Sequence, residues 1–122
     1  MGTFHVAVQV ANVRGERYEF IEALVDTGAS YSIFPAQFLR DLGVESTEQW
    51  PFRLADERQR EFSVGPALLR LYDRQRYTLV VFGDDTMQPL LGAVALEEFG
   101  LGIDPRRMIP VPGLLMTLSL DS

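Results

Sequence analysis

The chain has 122 residues, enough to bury one core but too few for two lobes, so a single domain spanning residues 1–122 is expected. Its composition, 47% apolar and 23% charged, is that of an ordinary globular protein, and its formal charge of −6 weighs weakly against a nucleic-acid or anionic-membrane partner. Cysteine is absent, which excludes disulfide frameworks and thiolate metal sites.

From the N-terminus, Phe4, Val6, Val8 and Val10 alternate with His5, Ala7 and Gln9, which predicts a strand with one buried face. No basic stretch followed by an apolar block precedes it, so no signal peptide is read, and no apolar run approaches a membrane span. A cytoplasmic domain with no membrane partner is the expectation. Asn12 to Glu16, with Gly15 inside, supplies a turn, and Tyr18 to Val25 returns as the second arm of a hairpin. Tyr31 to Phe34 reads as a short strand. Pro35 then opens a small helix that Gly43 closes, with Phe38, Leu39 and Leu42 on its inner face.

Further on, Pro51 to Leu54 and Arg60 to Val64 read as strands around the charged turn Ala55-Asp56-Glu57-Arg58-Gln59. Ala67 to Tyr72 and Tyr77 to Phe82 flank a second charged turn, Asp73 to Arg76, and Gly83-Asp84-Asp85 is a loop. Pro89-Leu90-Leu91-Gly92 leads into a helix over Ala93 to Phe99, stopped by Gly100. Asp104-Pro105 and Pro110-Val111-Pro112-Gly113 break the chain before a last apolar strand, Leu114 to Leu120. Many short strands with one or two brief helices predict a closed, mainly β domain.

The stretch richest in chemical meaning is Ala23-Leu24-Val25-Asp26-Thr27-Gly28-Ala29-Ser30. An apolar strand ends abruptly in Asp-Thr-Gly, with small residues after it. That pattern sets one carboxylate at the tip of a loop, and Gly28 lets the backbone approach another peptide closely. Taken with Leu90-Leu91-Gly92 and the helix after it, the chain resembles the retropepsin-like aspartic proteases, particularly the small microbial ones. The order of strand, short helix, flap hairpin, second hairpin and apolar-apolar-Gly strand fits over nearly the whole length.

That resemblance implies a closed acid-protease barrel acting as a homodimer on a peptide or protein substrate. Asp26 of each protomer would be catalytic, and no cofactor or metal would be needed. Thr27 would hydrogen-bond across the two-fold axis, with Gly28 supporting the loop. Ala29, Ser30, Asp56, Glu57, Leu91 and Gly92 would form the substrate face. Cleft specificity would fall to Ile33, Phe34 and the Asp84 to Gln88 loop, and the flap to Leu54 to Phe62. Interleaved ends, Met1 to Phe4 and Leu114 to Leu120, would cover exposed edges between protomers. Retroviral relatives carry an acidic residue directly after the Asp-Thr-Gly-Ala run and an Arg directly after the later glycine. Here Ser30 and Ala93 stand there, so the corresponding brace must be built differently.

Other features have plainer readings. Trp50 is expected to anchor the core or the flap base, and His5 to be an exposed strand residue. Asp84-Asp85 and Glu97-Glu98 read as a charged loop and a solvated helix face, and Arg106-Arg107 as a surface pair. Asp56 to Gln59 is either a flap tip or a solvated turn. A dimeric binding module that keeps the protease fold without turnover is the alternative to an enzyme.

Overall fold

In the computed structural model, residues 5–54, 56–104 and 109–112 are described. The chain starts with β1 (His5–Ala11), which turns at residues 12–15 into β2 (Glu19–Val25). Gly15, at φ +65°, donates its N–H to Asn12 O at 2.9 Å, and the buried Asn12 side chain holds the turn by donating to Glu16. β1 and β2 pair antiparallel from His5↔Leu24 to Val10↔Glu19, so Val8 and Val10 face inward as their alternation requires.

After the Asp26 loop come β3 (Ser32–Pro35) and α1 (Ala36–Asp41), with Leu39 and Leu42 buried and Gly43 at φ +83° beyond the helix end. A hairpin follows, formed by β4 (Glu48–Arg53) and β5 (Gln59–Leu71), and β6 (Arg74–Gly83) runs back along β5. β7 (Leu90–Leu91) leads into α2 (Ala93–Phe99). Seven strands form one sheet in the order β1-β2-β7-β3-β6-β5-β4, and an additional β1–β5 pairing, Gln9↔Arg70 to Ala11↔Leu68, closes six of them into a ring. β4 stays outside as an edge strand, the position in which Pro51 costs no ladder bond.

Three expectations need correction. The two strands read at Arg60 to Val64 and Ala67 to Tyr72 are one continuous β5. Gly65-Pro66 marks a change of partner rather than a break: β4 pairing ends at Val64 and β1 pairing begins at Leu68. A Cβ at Gly65 would stand 2.1 Å from Glu45 O, so only glycine lets the 45–46 backbone pass there. The turn expected over Asp73 to Arg76 is also shorter, because Leu71 already pairs with Arg74 and only Tyr72 and Asp73 turn, Tyr72 at φ +55°.

The Pro-rich segment read as a break instead contains β9 (Ile109–Pro112), which pairs antiparallel with β8 (Leu101–Asp104). Prolines at alternate positions suit this two-stranded sheet, since only every other residue of an antiparallel strand donates toward a given neighbour. The expected strand Leu114 to Leu120 and the N-terminal Met1 to Phe4 lie outside the described residues, as does Arg106-Arg107. Among the described residues no helix is long and apolar enough to cross a membrane.

Two apolar clusters lie on opposite faces of β5 and β6. The larger fills the ring with Val10, Phe34, Leu39, Leu69, Val80, Leu91, Leu96 and Phe99. Each such side chain contributes about 1.5–3 kcal/mol on full burial. The smaller, Phe62, Val64 and Val81, collects Tyr31, Trp50, Phe52 and Met87 beneath the β4–β5 hairpin. Val80 and Phe82 enter the first cluster and Val81 the second, the two-residue period of β6 serving both. At the far end, Arg74 and Arg76 donate to the carbonyls of Phe99 and Glu98, completing the C-terminus of α2 beside Gly100 at φ +69°.

Candidate active site

Asp26 sits where β2 runs out of ladder. Leu24↔Leu90 and Val25↔Leu91 are parallel pairs, and the Asp26 N–H donates to Leu91 O at 3.1 Å. One carboxylate oxygen, Oδ1, accepts the Gly28 N–H at 2.9 Å, and the Ala29 N–H returns to Asp26 O at 3.2 Å. These bonds fold Asp26 to Ala29 into a tight turn that leaves the carboxyl half-exposed, with Thr27 and Gly28 exposed at the tip.

β7 and α2 then brace the loop from behind. Ala93 N–H donates to Ala29 O at 2.8 Å and Val94 N–H to Ser30 O at 3.0 Å. Helix N-termini carry unsatisfied donors, and here the loop carbonyls take them. At the positions where a charged pair is missing, the main chain holds each residue to a neighbour of the other, Ala93 to Ala29 and Ser30 to Val94. Gly92 is closed in from the same side, since a Cβ there would lie 2.7 Å from Tyr31 C and 2.9 Å from Ser30 O. Its N–H donates to Ser32 Oγ at 3.0 Å, a buried bond that spans 60 residues of sequence.

In front of the loop the β4–β5 hairpin leans over a cavity of about 350 Å³. Gly28, Ala29, Ser30 and Tyr31 form one wall, and Phe52, Leu54 and Phe62 of the hairpin another. Ile33, Val81 and Met87 also line it. Tyr31 meets Trp50 edge-on at 5.5 Å between ring centroids and Phe52 at 6.3 Å, so the residue just after the loop is the aromatic seat of the hairpin. Trp50 is thus a hairpin-base anchor.

The hairpin tip is narrow: Leu54 N–H donates to Arg58 O at 2.8 Å and Glu57 N–H to Leu54 O at 2.9 Å. Glu57 takes φ +70°, a conformation usually left to glycine, and Asp56 pairs with Arg58 at 2.6 Å in solvent. Arg60, lying over the Phe62 ring, reaches across to Asp84 at 2.8 Å. The Thr86 hydroxyl above all, and then Arg60, hold the Asp84 carboxyl down to about 2.

The structure gathers some of the expected site residues and separates others. Asp26, Thr27, Gly28, Ala29 and Ser30 share one loop, and Asp56 and Glu57 stand at the exposed hairpin tip. Leu91 and Gly92, expected on the substrate face, lie beneath the loop instead; Leu91 is fully buried in the ring core and Gly92 is covered by Tyr31. Of the specificity residues, Ile33 and Met87 reach the cavity, whereas Phe34 is fully buried in the ring. His5 is exposed at the start of β1, its Nε2 3.0 Å from the Gln88 amide. Tyr31, Phe62 and Ser32 carry no motif in the sequence; an aromatic or a serine in or beside a strand has no pattern of its own. Among the described residues no group of three or more His, Asp or Glu side chains forms a potential metal site.

No known family profile and no curated protein matches the chain. Among solved structures, it is similar to the EIAV protease complexed with the inhibitor HBY-793, at TM-score 0.61 and 17% identity over 84% of this chain and 93% of that one. It is also similar to a retropepsin-like aspartic protease from Rickettsia conorii, at TM-score 0.53 and 21% identity over 85% of this chain and 89% of that one. The chain therefore has the retropepsin-like aspartic protease fold.

Proposed function

We propose that the protein is an aspartic endopeptidase that works as a homodimer, with Asp26 from each protomer forming the catalytic dyad. The observation that carries this reading is a half-exposed carboxylate on a tightly braced loop, beside an apolar cavity roofed by a hairpin. The loop occurs once in the chain, and the chemistry needs two carboxyls.

Two carboxyls a few ångströms apart resist double ionisation and share one proton. The ionised member takes a proton from a bound water, which attacks the scissile carbonyl. The protonated member donates a hydrogen bond to that carbonyl and stabilises the tetrahedral diol. A two-fold contact supplies the second carboxyl from an identical surface. Thr27, exposed beside Asp26, bonds across the axis to the partner's loop. Ala29 and Ser30 present main chain to the peptide, Asp56 and Glu57 close over it, and the apolar cavity takes a substrate side chain. Leu91 and Gly92 act from below by fixing the loop.

The test is cleavage of a quenched-fluorescent peptide mixture between about pH 3.5 and 7, a window that brackets carboxyl titration from model Asp upward. Wild type cleaves with a bell-shaped pH dependence, and Asp26→Asn is inert while remaining folded. Cleavage that survives Asp26→Asn refutes the site. Equal inertness of both proteins refutes the enzyme and leaves a binding module, a reading to which the charged, ion-paired hairpin tip is suited.

A further inference from the structure

We infer that Ser32 is a positioning residue for the Asp26 loop, holding the reactive carboxyl in place through Gly92; the assignment rests on the protease reading above. Four consecutive residues, 91 to 94, each engage one partner in the segment 26 to 32. Leu91 O accepts from Asp26 N–H at 3.1 Å, and Ala93 and Val94 donate to the carbonyls of Ala29 and Ser30. Gly92 N–H donates to Ser32 Oγ at 3.0 Å. Three of these links are main chain to main chain, so no substitution of a side chain removes them directly. The fourth depends on one hydroxyl.

Its setting makes that hydroxyl consequential. Ser32 is 1% exposed, and its main chain is fixed in β3 by parallel pairing with Val80 of β6. Gly92 is the residue before α2, so its N–H has no partner within the helix, and a serine from a distant strand accepts it. Removing the acceptor strands a buried donor between the two contacts that hold Asp26 and Ala29. The segment 91 to 94 then relaxes, and the turn it braces moves with it. Reaction rate is sensitive to such shifts, whereas the part of the peptide site formed by Phe52, Leu54 and Phe62 of the hairpin is not held by residues 91 to 94.

Ser32→Ala is the test, with kcat normalised to active sites titrated by a statine-type inhibitor. The expected result is a kcat lowered by about 10- to 100-fold with KM within about twofold of wild type, and recovery of most of the loss in Ser32→Thr. An unchanged normalised kcat overturns the assignment, as does a loss of titratable sites that accounts for the whole fall in rate. Amide hydrogen exchange separates this inference from the protease reading. In Ser32→Ala the Gly92 and Ala93 amides should exchange at least about tenfold faster than in wild type, equivalent to the loss of a net hydrogen bond of about 1.4 kcal/mol. If wild type proves inert, the protease reading falls; faster exchange then still supports the clasp, and unchanged exchange overturns it.

Discussion

Replacing Gly92 by alanine opposes two effects of different sign. The Gly92 backbone, at φ −94° and ψ 178°, is open to any residue, so the loss of unfolded-state freedom alone would stabilise the variant by about 0.4–1 kcal/mol. Against this, the added Cβ would lie 2.7 Å and 2.8 Å from Tyr31 C and O and 2.9 Å from Ser30 O. All three are main-chain atoms, so relief requires the loop itself to shift, and overpacking of this kind costs about 1–3 kcal/mol or more. The net expectation is a destabilisation of about 2 kcal/mol, read as a fall in Tm of roughly 8 °C for a domain of this size. Thermal unfolding by circular dichroism measures it, and peptide cleavage on the same sample should fall further than stability alone explains. A Tm equal to or above that of wild type, with full activity, would refute the claim that β7 and α2 press against the Asp26 loop.

Asp84 and the hairpin tip supply further tests. The Asp84 carboxyl, held down to about 2, favours the folded state above the ordinary Asp value, and that contribution is lost as pH falls through about 2. An NMR titration should therefore find its midpoint near 2, displaced upward by Thr86→Val and by Arg60→Gln; a midpoint at the ordinary carboxyl value would contradict the bridge. Glu57→Gly relieves a left-handed residue worth about 1–2 kcal/mol of strain, so Tm should rise by a few degrees. The added freedom of glycine in the unfolded chain offsets about 0.4–1 kcal/mol of that gain, and a lowered Tm would contradict the strain.

Sequence located α2 and the turn after Val25 better than it located the strands around them. α2 lies at Ala93–Phe99 as expected, because Gly92 and Gly100 bound an apolar stretch with unambiguous stop signals. β5 was legible only as two pieces. Phe62 and Val64 bury one face while Ala67, Leu69 and Leu71 bury the other, so no single alternating stripe runs through it, and Gly65-Pro66 resembles a turn until the change of partner is seen. Tyr72 holds a positive φ without being glycine, which hid the tight turn. At the site, Asp-Thr-Gly marked its own loop because its residue types follow from local backbone needs. The roles of Leu91, Gly92 and Ser32 depend on contacts across some 60 residues, as in the Gly92–Ser32 bond, and these exist only once the ring has closed.

The account is tested most directly by a crystal structure of the purified protein with a reduced-amide peptide, from which the separation of the two Asp26 carboxyls is measured. A two-fold dimer with those carboxyls within hydrogen-bonding reach, about 2.6–3.2 Å apart or joined through one water, is the predicted result. A monomer, or a dimer that holds them well beyond that reach with the peptide bound, would contradict it.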